Sequence, residues 1–483
     1  MPDIRGTIAP AVLVPGMTCW RLAPSHRFSP LIDARSYYAA LSEVLESAER
    51  QILIVGWDFD SSIRLTPDLE ESGATLGETL RRLVETKPEL HIRLLVWRGS
   101  IFYGDSAEFP PLFGHSWRDH ERIHFVYDDC HPLGGSHHQK MLCIDDNLAF
   151  VGGIDLTRKR WDDPGHSLDK VRRIGGDEHD PVHDIQAVFD GQAAQTIAEI
   201  FRERWHCNTK EMLPELPLRR APWPPSVRPM VRDARLGILR TLPTYEERYE
   251  VREIERFNLA ALEAARRTIY IEAQYFALPE VAEVLAGKLE MDEGPEVVIV
   301  ANRRSSGMIE QYVMAQKRDY LFAQLRRADR HRRLRLCYPV GVAESEYEIH
   351  IHSKLMIVDD SCLRIGSSNL NSRSMGLDSE CDVALEAEGD ATSRAIGRFR
   401  TRLVAEHLGM STARVTAMLA RTKSLVRTID HLNHGPRRLR PYVEDVVPDS
   451  VPFGESLLDP PRPLDFDYLW KALLGSKGEP RAH

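Results

Sequence analysis

Two short stretches gather residue types that do chemistry on phosphate. "HHQKMLCID" carries His138, Lys140 and Asp145, and "HIHSKLMIVD" carries His352, Lys354 and Asp359. Both read His-x-Lys-x4-Asp-x6-Gly, ending at Gly152 and Gly366. A pair of lysines facing one another concentrates positive charge where an anion must sit, and ammonium groups suit a phosphate. Two imidazoles beside that phosphate can divide the work, because an unperturbed pKa of about 6.5 lets one be neutral and nucleophilic while the other is an acid. One histidine attacks phosphorus and the other protonates the departing alcohol, then activates water to release the product. The lysines and the imidazolium supply the neutralising charge, so neither a metal nor any other cofactor is expected.

Such residues need rigid elements beneath them, and the chain supplies them twice. Apolar strand patterns "QILIVGWDFD", "HIRLLVWRG" and "IHFVYDD" in the first half are matched by "TIYIEAQYFA", "EVVIVANRR" and "RLRLCYPV" in the second. Each motif has period-two alternation, which predicts a strand with the histidine and lysine on one face, and each is followed by a further strand, "DIQAVFDG" or "ECDVALEA". Helical patterns fill the gaps. Alternating strands and helices predict an α/β fold of two similar α/β/α sandwich halves with mixed sheets, pseudo-twofold related, with one shared site between them. The expected division is an N-terminal half over residues 1–206, a proline-rich linker over 207–235, a C-terminal half over 236–410 and an extension over 411–483. In that extension "STARVTAMLARTKSLVRTIDHL" reads as an amphipathic helix and the proline-rich stretch after it as an extended surface segment.

Composition narrows the function classes. The chain of 483 residues is 42% hydrophobic, enough for two cores of ordinary domain size. A net charge of −9 argues against a broad nucleic-acid-binding surface, so no nucleic-acid partner is expected. Seven cysteines without C-x-x-C spacing argue for a reduced compartment and against both a disulfide framework and a cysteine zinc site. No apolar run reaches the length of a membrane span, and Pro10 and Pro15 break the apolar N-terminal run. A monomer, cytoplasmic or peripheral at a membrane surface, is the expectation.

The paired motifs, "FVGGIDLTRKRWDD", "YIEAQYF" and "GSSNLNSRSMGLDSE" together resemble the phospholipase D superfamily, and most closely its eukaryotic-type branch, over roughly residues 16–409. The resemblance implies the phospholipase D fold, a phospholipid substrate met through transient peripheral membrane contact, and hydrolysis to phosphatidic acid and a free head-group alcohol, with transfer to other alcohols as a side reaction. Cardiolipin synthase-like phosphatidyl transfer and hydrolysis of nucleic acid are the alternatives. Carried over position by position, it implies His138 as nucleophile and His352 as acid and base, Lys140 and Lys354 on the phosphate, and Asn369, with Ser367 and Gly153, against the substrate. Asp145 and Asp359 complete the catalytic motifs from the far ends of their strands, where a structural task is expected. Asp155 stands where the second motif has Asn369, and an anion there would repel phosphate. Asp184 and Glu380, which begin the strands after the motifs, fit the task of orienting the imidazoles.

Overall fold

The computed structural model describes residues 11–67, 73–104, 116–168, 179–304, 310–443 and 458–463. Seven strands of the first half are β1 (Arg21–Ile32), β2 (Gln51–Gly56), β3 (His91–Trp97), β4 (Ile123–Asp128), β5 (Met141–Ile144), β6 (Leu148–Gly152) and β7 (Ile185–Asp190). Their counterparts are β8 (Val231–Leu242), β9 (Thr268–Ala273), β10 (Glu296–Ala301), β11 (Leu334–Val342), β12 (Lys354–Val358), β13 (Cys362–Gly366) and β14 (Glu380–Glu386). Pairing runs β4-β3-β2-β5-β6-β7-β1 in one half and β11-β10-β9-β12-β13-β14-β8 in the other. In each half three strands are parallel and the motif strand joins them antiparallel. The two mixed sheets are continuous, because β1 and β8 pair antiparallel from Arg21↔Ile238 to Phe28↔Val231.

Strands such as "QILIVG" are buried along their whole length, as a sheet covered on both faces requires. In the first half, α1 (Asp33–Leu45) and α2 (Leu76–Thr86) cover one face. In the second, α4 (Glu253–Ala264), α5 (Pro279–Glu290) and α6 (Glu310–Ala328) do the same. The opposite face is shared: α3 (Gln192–Thr209) and α7 (Asp390–His407) bury their apolar sides in one core that runs through both halves.

Several expectations are corrected in detail. Residues 210–230 carry no helix or strand, since α3 continues to Thr209 and β8, which starts at Val231, belongs to the sheet. The helix expected after residue 410 is two, α8 (Thr412–Thr422) and α9 (Leu425–Leu432), since Lys423 takes a left-handed conformation (φ 53°) and Ser424 caps a new start. Most of the proline-rich segment that follows lies outside the described residues. Asp459 within it is buried and accepts from Lys317 Nζ at 2.9 Å and from the backbone of Ser372 and Arg373. The cysteines are not all free: Cys130 and Cys207 form a disulfide, Cα atoms 6.3 Å apart, tying the segment after β4 to α3. A sequence separation of 77 residues hides that pairing from any spacing rule. The other five cysteines are buried thiols.

Candidate active site

The motif strands begin later than the alternation predicts. β5 starts at Met141 and β12 at Lys354, so His138, Lys140 and His352 sit on the approach to the sheet. What holds those approaches is the other half of the molecule. His138 N donates to Ser379 O at 3.0 Å, and His352 N donates to His183 O at 2.8 Å. A short parallel pairing, His350↔Val182 and Ile351↔His183, adds to the second contact.

The same crossing sets the imidazoles. His138 Nδ1 lies 3.0 and 3.1 Å from the carboxylate oxygens of Glu380, and His352 Nδ1 lies 2.6 Å from Asp184 Oδ2. Each histidine is therefore oriented by the carboxylate that follows the opposite motif. With Nδ1 committed as donor, Nε2 is the nitrogen left for substrate in both rings. Lys140 Nζ lies 3.1 Å from Asp155 Oδ2, and Lys354 Nζ donates to Gln274 Oε1 at 2.8 Å. Asp155 thus balances Lys140, which explains how an anion is tolerated at that position. Its second oxygen accepts from Trp57 N at 2.9 Å.

Electrostatics tie the four groups into one site. Burial, reinforced by both lysines, pushes His138 well below the ordinary imidazole range. Burial pushes His352 down likewise, followed by the charges of Lys354 and Arg160. Burial lowers Lys354 to about 7, against the pull of Asp184 and with the repulsion of Lys140, and raises Glu380 to about 7. Each half thus feels the charges of the other. An arriving phosphate anion shifts the balance towards protonated imidazole and ammonium.

The remaining expected residues divide. Asn369 is buried, its backbone N–H donates to Ser374 Oγ at 3.1 Å, and its side-chain oxygen has no hydrogen-bond partner. Ser367 was expected on substrate; its hydroxyl donates to Glu380 Oε2 and accepts from Cys381 N at 3.1 Å, so it fixes the orienting carboxylate. Gly153 packs in the same way. A Cβ there would lie 2.2 Å from Asp184 Oδ1, so the glycine makes room for the carboxylate that holds His352. Asp145 and Asp359 lie away from the imidazoles and do matching structural work. Asp145 accepts from the backbone N–H groups of Glu49, Arg50 and Gln51, at 2.7–2.8 Å, and Asp359 from those of Arg266, Arg267 and Thr268, at 2.6–2.8 Å. Each fastens the turn after a motif strand to the entry of the neighbouring parallel strand.

Sequence reading passed over Arg160 and Gln274. Arg160 adds positive charge near His352 and Lys354, and Gln274 positions the Lys354 ammonium. Both stand inside quoted motifs, "LTRKRWDD" and "YIEAQYF"; Gln274 follows a buried strand, whereas Arg160 is one of three adjacent half-buried basic residues and nothing local singles it out.

With this geometry the family comparisons agree. The Phospholipase D family model matches residues 118–278, and the Cardiolipin synthase, PLD-like domain model matches residues 259–403. Two phospholipase D-like models thus span residues 118–403, the stretch that holds both motifs, and the similar proteins include phospholipases D of eukaryotes. It is 26% identical over 462 residues to Phospholipase D A of Dictyostelium discoideum, covering 78% of this chain and 35% of that one. Against Phospholipase D alpha 4 of Arabidopsis thaliana it is 23% identical, covering 79% and 65%. The chain therefore spans between about a third and two thirds of these relatives' length. Among solved structures, phosphatidylserine synthase of Haemophilus influenzae shares the fold with a TM-score of 0.52 at 13% identity, over 85% of this chain and 97% of that one.

Proposed function

We propose that this protein is a phospholipase D-type phosphodiesterase that hydrolyses glycerophospholipids to phosphatidic acid and a free head-group alcohol. The observation that carries the reading is the crossed pair of His–carboxylate contacts, which leaves two Nε2 atoms and two lysines for one phosphodiester. His138 Nε2 attacks phosphorus and the P–O bond to the head group breaks, while His352 delivers a proton to the leaving oxygen. A phosphatidyl-histidine results. His352, now neutral, takes a proton from water, whose oxygen attacks phosphorus and breaks the P–N bond. The lysines, Arg160 and Asn369 stabilise the charge on the phosphoryl oxygens. An alcohol in place of water gives the transfer product.

Approach to a membrane surface suits the surroundings. Leu133, just before the His138 approach, is exposed, and exposed Tyr103 stacks on Trp97 at 5.9 Å. Among the described residues no helix is long and apolar enough to cross a membrane. We place the protein at the bilayer as a transient peripheral monomer with no nucleic-acid partner. Incubating it with a mixed phospholipid extract and identifying the released head groups tests the reading. Release of a head-group alcohol with matching phosphatidic acid is expected; nicking of plasmid DNA without lipid turnover contradicts it.

A further inference from the structure

Behind His352 lies a closed cluster of charged side chains that the reaction does not use. Asp33 opens α1, His166 follows the first motif, His183 precedes Asp184, and Glu406 lies near the end of α7; all four are buried. His183 Nδ1 lies 2.9 Å from Glu406 Oε1 and 3.2 Å from Asp33 Oδ1. His166 Nε2 lies 3.4 Å from Glu406 Oε1 and 3.7 Å from Asp33 Oδ2. Ligand atoms about 2.0–2.2 Å from a tetrahedral centre are separated by roughly 3.3–3.6 Å; the contacts here bracket that value, from 2.9 to 3.7 Å, and one ligand atom of each residue lies within 4.8 Å of the others.

Two further observations point to a ligand. Asp33 Oδ2 and His166 Nε2, both buried, have no hydrogen-bond partner among the described residues. Each imidazole also commits its other nitrogen outward to a carboxylate: His166 Nδ1 lies 2.9 Å from Asp162 Oδ2, and His183 Nε2 lies 2.9 Å from Glu272 Oε2. A carboxylate behind each histidine fixes the tautomer and turns the inner nitrogen towards the shared centre, as at metal sites. Asp33 is held at φ 61°, a conformation that a non-glycine residue keeps only where its surroundings demand it. The adjoining group of His183, Glu272 and His407 is already satisfied: the Glu272 oxygens accept from Tyr270 Oη at 2.6 Å and Ser353 Oγ at 2.8 Å, and contact His407 Nε2 at 2.9 Å.

We propose that Asp33, His166, His183 and Glu406 bind one structural zinc ion. Two nitrogen and two oxygen donors gathered around one point suit zinc, without any cysteine. Asp33, His166 and His183 come from the first half and Glu406 from the second, so the ion joins the halves directly beside Asp184, the residue before β7.

The test uses the full chain, grown with added zinc and dialysed against EDTA, with metal content read by inductively coupled plasma mass spectrometry. About one zinc per chain is expected, retained because the site is closed. Asp162→Asn, which removes the carboxylate behind His166, should bind zinc roughly 10–100-fold more weakly. His166→Gln should retain none. If that variant does not fold, the wild type decides: unfolding it in guanidinium beside a chromophoric chelator should release about one equivalent of zinc, and the native protein none. Wild-type protein free of zinc after supplemented growth, or His166→Gln with undiminished zinc, overturns the proposal and leaves protons on the two imidazoles as the balancing charge.

Discussion

The reaction asks for a neutral His138 and a protonated His352; burial and the lysines favour the neutral form of both, so the acid on His352 forms when the phosphate anion arrives. Glu380 accepts from His138 Nδ1 only as a carboxylate, so with its titration raised to about 7, activity falls as pH drops through that value. Lys354 neutralises phosphate only as an ammonium, so with its titration lowered to about 7, activity falls as pH rises through it. The two limbs close around neutrality. We expect a narrow bell for kcat/KM centred near pH 7, measured across a buffer series; a flat profile from roughly pH 5 to 9 would contradict the account. At this scale the sequence was highly legible. Repetition of His-x-Lys-x4-Asp marked both histidines and both lysines, and the structure brings all four under each other's charge. That Ser367 and Gly153 also pack against the carboxylates behind the histidines is not legible in one dimension.

Elements place these groups through glycine and aspartate positions that touch no substrate. Gly153→Ala would push a Cβ against the buried Asp184 carboxylate, and Asp184 cannot move without releasing His352. The variant should fold, shown by an unchanged circular dichroism spectrum, yet lose on the order of 10²-fold in kcat, since a displacement of about 1 Å costs that much. Asp359→Ala should do the reverse. It strips three backbone N–H groups of a charged acceptor, which we expect to cost roughly 2–4 kcal/mol in chemical denaturation, with kcat changed no more than a few-fold. A large kcat loss at unchanged stability would return Asp359 to the reacting centre. The strands themselves were legible as duplicated apolar runs, because burial on both faces leaves an unbroken hydrophobic signature. The start of each motif strand was not. His138 and His352 are held by backbone contacts to Ser379 and His183, and contacts over more than 150 residues leave no local periodicity. The Cys130–Cys207 bond was missed for the same reason.

Across the whole molecule, the halves are joined in three ways: a continuous sheet at β1 and β8, one core shared by α3 and α7, and carboxylates exchanged between the two histidines. The duplication predicted two halves and a shared site, but which carboxylate serves which histidine emerges only in three dimensions. The crossing has a kinetic consequence. Asp184→Asn, in the first half, should weaken the acid His352 yet spare the first step, the burst of nitrophenol, on a p-nitrophenyl ester, whose leaving group hardly needs a proton. Glu380→Gln, in the second half, should slow attack by His138 on both kinds of ester, by roughly 10²-fold. Burst-phase rates of leaving-group release on the two substrates decide between this pattern and its reverse, which orientation within each half would produce. The most direct test follows the phosphorus. His352→Ala keeps the nucleophile and removes the group that activates water, so rapid-quench mass spectrometry with a p-nitrophenyl phosphatidyl ester should find a phosphatidyl adduct accumulating on His138, and His138→Ala should form none. An adduct on His352 in the His138→Ala protein, with none found on His138, would contradict the account.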